Sequence, residues 1–135
     1  MTNRSTIVLF LALAPLTFGS VYADGHEAAP EVIAVKFHGD WCGSCKKMGP
    51  VSTDLGNKLD GMPVLFVELD LTNNTTKHQA KLLASALSLG TVYEGNPGTG
   101  FILLVDADSK KVVKKLTADM TLKQMQAAIQ GLIAS

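Results

Sequence analysis

Trp41-Cys42-Gly43-Ser44-Cys45-Lys46 concentrates the chemistry of this chain, for it holds both cysteines and the single tryptophan. Two thiols separated by two residues can close on each other, so the pair can alternate between dithiol and disulfide. The same spacing also serves haem and zinc, and the flanks weigh against both. Haem attachment needs a histidine directly after the second cysteine, where Lys46 stands. Zinc needs two more ligands; His38, Asp40 and His78 are the nearby types, and there is no second CxxC. The reading is therefore a redox pair with no metal and no cofactor. His38 either tunes the thiolate or, the more common case, is a solvent-facing loop residue, and nothing singles out His26 or His78.

Two elements must position the pair. Val32-Ile33-Ala34-Val35-Lys36-Phe37 is β-branched and apolar, which suits a strand covered on both faces. Residues 46–59 read as a helix, with Met48, Val51, Leu55 and Leu59 on one side and Pro50 inside. A cysteine on a strand-to-helix turn sits at a helix N-terminus, where the dipole and free N–H groups favour the thiolate.

The remaining chain is enough for one domain around one core: 135 residues, 47% hydrophobic and 18% charged. The formal net charge is zero and Arg4 is the only arginine, so a nucleic-acid partner has no electrostatic footprint. Two cysteines are too few for a disulfide scaffold. Residues 1–23 read as a signal peptide, with Arg4 in the n-region, an apolar run from Ile7 to Ala14, and Val21-Tyr22-Ala23 before the cut. Pro15 breaks that run short of a membrane span. The expectation is an exported protein, periplasmic or otherwise extracytoplasmic, with a mobile lead-in over 24–30 and one domain over 31–135. A disulfide persists in such a compartment.

Val64-Leu65-Phe66-Val67-Glu68-Leu69-Asp70 is the second strand, parallel to the first through a right-handed crossover. A helix follows from the caps at residues 73–76 to about Leu89, with Ala80, Leu83, Ala84 and Leu87 inward and Gly90 as its stop. Residues 91–100 read as a loop without a phosphate-binding pattern. Residues 101–105 form a third strand, 106–109 a turn, and the lysine-rich 110–116 a fourth strand, antiparallel and at an edge. Thr121 caps a last helix with Leu122, Met125, Ile129, Leu132 and Ile133 on one face.

This order, with its CxxC at the first strand-to-helix turn, resembles the thioredoxin family. The segment from Val35 to Lys46 is similar to that family's Trp-Cys-Gly-Pro-Cys-Lys strand and turn. Pro50 falls at its helix proline, and Val67-Glu68-Leu69-Asp70 resembles its next core strand. The resemblance implies an α/β, thioredoxin-like fold: a compact β-α-β-α-β-β-α core with a mixed four-stranded sheet. It implies a thiol–disulfide oxidoreductase in which Cys42, the exposed cysteine, attacks and Cys45 resolves. Lys46 and Lys47 assist at longer range, while Trp41, Gly43 and Ser44 shape the site. The alternative is a redox carrier or binding module of the same fold without general turnover. The implied partners are protein thiols and disulfides and a membrane-bound electron donor or acceptor, with the protein a monomer.

Three departures from the family pattern stand out. Ser44 replaces the proline between the cysteines. Lys36 and Glu68 stand where the family has aspartate and lysine, an ion pair with exchanged signs. Glu68 either passes protons to Cys45 or forms an ordinary structural pair. The family also sets a cis-proline against the cysteines, next to a substrate-pairing residue. Here Thr99 and Gly100 fall at that place, with Pro97 three residues early, so either Gly100 replaces the proline or a rearranged loop brings Pro97 to it.

Overall fold

The computed structural model describes residues 29–133. The signal peptide expected over 1–23, and residues 24–28 of the expected lead-in, lie outside the described residues. The element order is β1 (Val32–His38), α1 (Gly43–Lys58), β2 (Val64–Asp70), α2 (Asn74–Ala86), α3 (Gly90–Gly95), β3 (Phe101–Asp106), β4 (Val112–Thr117) and α4 (Leu122–Ile133). The four strands form one mixed sheet in the order β2-β1-β3-β4. β1 runs parallel to β2 and antiparallel to β3, and β4 closes the other edge antiparallel to β3.

Alternation along β1 divides the interior in two. Ile33, Val35 and Phe37 pack with Val67 and Leu69 of β2, Phe101, Leu103 and Val105 of β3, and Ala80, Ala84, Leu89 and Val92 from the α2–α3 side. Val32 and Ala34 face the opposite layer with Met48 and Leu55 of α1, Leu116 of β4, and Met125 and Ile129 of α4. A sheet covered on both faces has no polar side, which is why β1 and β3 read as near-continuous apolar runs. On β4 only Leu116 is buried, and its lysines lie at the exposed edge.

Five of the differences between the element boundaries and the expectations bear on the site or the sheet. β1 extends through His38, whose side chain is 22% exposed, so this histidine is not a solvent-facing loop residue. α1 begins at Gly43 rather than Lys46, because the Cys42 sulfur caps it ahead of the first apolar position. α2 stops at Ala86. Its end is a Schellman motif in which Leu89 N–H donates to Ala84 O and Ser88 N–H to Ser85 O, with Ser88 at φ 59°. Gly90 therefore opens α3 instead of ending α2, and residues 91–95 are helix rather than loop. Finally, Lys110 and Lys111 belong to the β3–β4 turn, where the Asp106 carboxylate accepts from the N–H and hydroxyl of Ser109.

Leu83 is also misplaced: it is 41% exposed, and the inward face of α2 is Ala80 and Ala84 with Leu87 partly buried. Two alanines bring the helix backbone close to β2, and at that rotation Leu83 falls outside the covered stripe. The expected caps do form. Asn73 accepts from Thr75 and Thr76 N–H, and Thr121 and Gln124 exchange bonds ahead of α4.

Candidate active site

Cys42 lies between the end of β1 and the first turn of α1. Its backbone is extended, and its Sγ accepts the Cys45 N–H at 3.2 Å, the capping contact usually made by an oxygen. The turn is closed behind it by Cys42 N–H donating to Gly39 O at 3.0 Å. Cys45 comes one turn later on the inner side of the helix. Both thiols are free. Cys42 is 9% exposed and Cys45 2%, so the expected order of exposure holds, but Cys42 is a narrow opening rather than an open residue.

The two sulfurs differ in their electrostatics. Burial would push the Cys42 thiol up. Hydrogen bonds from Cys45, from the Thr99 side chain and from the Cys45 and Ser44 backbone outweigh it and hold the thiol below its ordinary range. Burial pushes the Cys45 thiol up, and sharing its proton with Cys42 pushes it further; the Gly39 backbone and Thr99 oppose this without cancelling it. One sulfur is thus poised as nucleophile and the other kept protonated beside it. The Lys47 ammonium pairs with Asp119 at 3.0 Å on the open surface.

The third wall is Thr99-Gly100. Gly100 N–H donates at 2.9 Å to Phe37 O, the carbonyl that also faces the Cys45 thiol at 3.8 Å. A Cβ on Gly100 would stand 2.6 Å from Ser44 Cβ and 3.1 Å from Cys42 Sγ, and its φ is +86°. The choice between Gly100 and Pro97 therefore falls to Gly100. Pro97 is exposed, and every peptide bond among the described residues is trans. Beneath the site the Phe37 and Phe101 rings stack with centroids 4.9 Å apart.

Lys36 and Glu68 meet. They are partners in the β1–β2 register, with Lys36 Nζ 2.7 Å from Glu68 Oε2. Lys36 is 11% exposed and Glu68 47%, so the pair sits at the rim of the interior with its carboxylate half in water. Trp41 is 63% exposed beside Cys42 and so is a surface aromatic rather than a core one. Gly43 and Ser44 are exposed on the first turn of α1.

Sequence reasoning missed the segment that braces this surface. Asp70 accepts the N–H and hydroxyl of Thr72, Thr72 Oγ1 accepts the Asp40 N–H, and Thr72 O accepts the Trp41 indole N–H. The signal was available: an aspartate two residues before a threonine at a strand end is an Asx-turn pattern.

The Thioredoxin family profile matches residues 18–85, half of the chain, from ahead of β1 to near the end of α2. No curated relative matches the chain. Among solved structures, StoA from Bacillus subtilis superposes with a TM-score of 0.52 at 16% identity, covering 75% of this chain and 84% of that one. The thioredoxin domain of a thiol-disulfide oxidoreductase from Bacteroides vulgatus gives 0.52 at 14% identity, with 76% and 79% covered. A thioredoxin from Malassezia sympodialis gives 0.51 at 22% identity, with 76% and 78% covered. These likenesses, at under a quarter identity, show the shared fold over about three quarters of the chain.

Proposed function

The chain belongs to the thioredoxin family, and from that premise we propose that it is a thiol–disulfide oxidoreductase acting on cysteines of partner proteins. The observation that carries the reading is the asymmetry of the two sulfurs: Cys42 caps α1 with its thiol held low, and Cys45 is buried with its thiol held high. In the reductive direction the Cys42 thiolate attacks a substrate disulfide. A Cys42–substrate S–S bond forms, the substrate S–S bond breaks, and the departing thiolate takes a proton. Cys45 then loses its proton and attacks Cys42 Sγ, which forms the Cys42–Cys45 disulfide and releases the substrate as a dithiol. Two electrons have passed to the substrate, and an external dithiol returns them.

In this proposal residues 1–23 direct export, the compartment is periplasmic or otherwise extracytoplasmic, and a membrane-bound carrier exchanges electrons with the pair. Trp41, Thr99 and Gly100 form the surface that meets the substrate, and Lys36 and Glu68 support it from the β1–β2 pair.

Dithiothreitol-driven reduction of insulin tests the reading. Wild type should accelerate it, Cys42→Ser should abolish the acceleration, and Cys45→Ser should accumulate a mixed disulfide. Equal rates for wild type and Cys42→Ser would sink it. A second reading, a carrier serving one dedicated partner, is favoured by the 9% exposure of Cys42. It predicts a pair that equilibrates with glutathione but leaves insulin untouched, and a strongly negative potential in that buffer series would mark a reductant.

A further inference from the structure

We propose that Thr72 is a positioning residue that locks Trp41 flat beside Cys42, so that the outer indole face is a fixed apolar platform for the residue flanking a substrate cysteine. The second half of this statement rests on the proposed oxidoreductase reading; the lock does not. A tryptophan that is 63% exposed would ordinarily sample several rotamers. This ring is held at two places. Its inner face lies on Gly39, where a Cβ would stand 3.1 Å from Cε2 and 3.2 Å from Cζ2. Its N–H donates to Thr72 O at 3.2 Å.

Thr72 is itself fixed. Its N–H and hydroxyl both donate to Asp70 Oδ1, at 2.8 and 2.5 Å, and its Oγ1 accepts the Asp40 N–H at 3.1 Å. The chain therefore crosses between two loops three times within Asp40, Trp41 and Leu71, the last bond being Leu71 N–H to His38 O at 2.8 Å. The Thr72 hydroxyl donates to Asp70 and accepts from Asp40 through one atom, which a short hydroxyl side chain can do and an aliphatic one cannot. A valine of the same shape leaves the Asp40 N–H without its acceptor and Asp70 without one of its donors.

A ring fixed before encounter does not lose rotamer freedom on binding, and a rigid exposed aromatic is the kind of residue that anchors an interface. Trp41 directly precedes Cys42, so the platform's occupant is the side chain next to the reacting substrate sulfur, and its chemistry is apolar or aromatic.

Trp41 is the sole tryptophan, so its fluorescence reports the lock without any turnover. Thr72→Val should lower the Trp41 anisotropy and raise its acrylamide quenching, and Thr72→Ser should restore both. With insulin, Thr72→Val should raise KM about two- to tenfold, the cost of freezing one side chain, with a smaller change in kcat. Should Thr72→Val fail to fold, Gly39→Ala, which presses a methyl against the indole and leaves the Thr72 side-chain bonds to Asp70 and Asp40 in place, should loosen the ring from Thr72 O and give the same fluorescence change. Wild-type anisotropy and quenching in the folded variants would overturn the lock. An intact fluorescence change with an unaltered KM would overturn the platform while leaving the oxidoreductase reading standing.

Discussion

Gly100 approaches Ser44 and Cys42 more closely than any residue with a Cβ allows. Gly100→Ala should therefore destabilise twice over. The left-handed backbone costs roughly 1–2 kcal/mol, and overlap with Ser44 Cβ adds about 1–3 kcal/mol. Since 1 kcal/mol moves Tm by about 4–8 °C in a domain of this size, a loss of roughly 10 °C or more should appear in thermal unfolding. Ser44→Gly removes the atom that the new methyl meets, so the double variant should recover part of the loss; strictly additive effects would contradict the contact. At this scale the sequence revealed the cysteine pair, Trp41 and the Lys36–Glu68 pairing. Those signals are local, or follow from strand register. The choice between Pro97 and Gly100 was not legible, because it depends on the path of a loop whose short helix α3 takes up residues 90–95.

The helices show a similar division between what apolar spacing announces and what a single backbone bond decides. Strand identities and the stripes of α1 and α4 follow from burial, which is written along the whole element. The helix ends do not, since each depends on one residue acting out of type. Cys42 caps with sulfur, and Ser88 takes the left-handed C′ position usually held by glycine while Gly90, two residues on, looks like the stop. Ser88→Gly should accordingly stabilise the domain by about 0.5–1 kcal/mol, less than the full left-handed penalty because glycine loses more freedom on folding. Urea unfolding at constant m-value measures it, and no gain would mean that the Ser88 side chain contributes to the end of α2.

For the whole molecule, two carboxylates at strand ends contribute to stability that is lost in acid. The Thr72 hydroxyl and N–H hold Asp70 below the usual carboxylate range, and the Ser109 hydroxyl and N–H do the same for Asp106. A depressed folded value means that the stabilisation is complete above the unfolded value, about 3.9, and disappears as pH falls through the folded one. Unfolding free energy measured by urea should thus fall at and below about pH 4, and Ser109→Ala should flatten part of that slope; an unaltered slope would remove Asp106 from the account. The three-layer arrangement was legible at this scale because both faces of β1 and β3 are apolar. The loop bonds that tie Asp70 and Thr72 to the redox turn join residues about thirty positions apart and have no periodic signature.

Cys42 is at once the cap of a helix and one half of a disulfide. As a thiolate it offers the Cys45 N–H a full negative charge; as a disulfide sulfur it offers a weak, neutral acceptor. Whatever free energy the first turn of α1 gains from that charge belongs to the reduced protein alone. The helix terminus therefore acts as part of an electrode. Each unit by which the fold lowers the Cys42 pKa, worth about 1.4 kcal/mol, raises the potential of the pair by about 30 mV at a pH where the thiolate dominates.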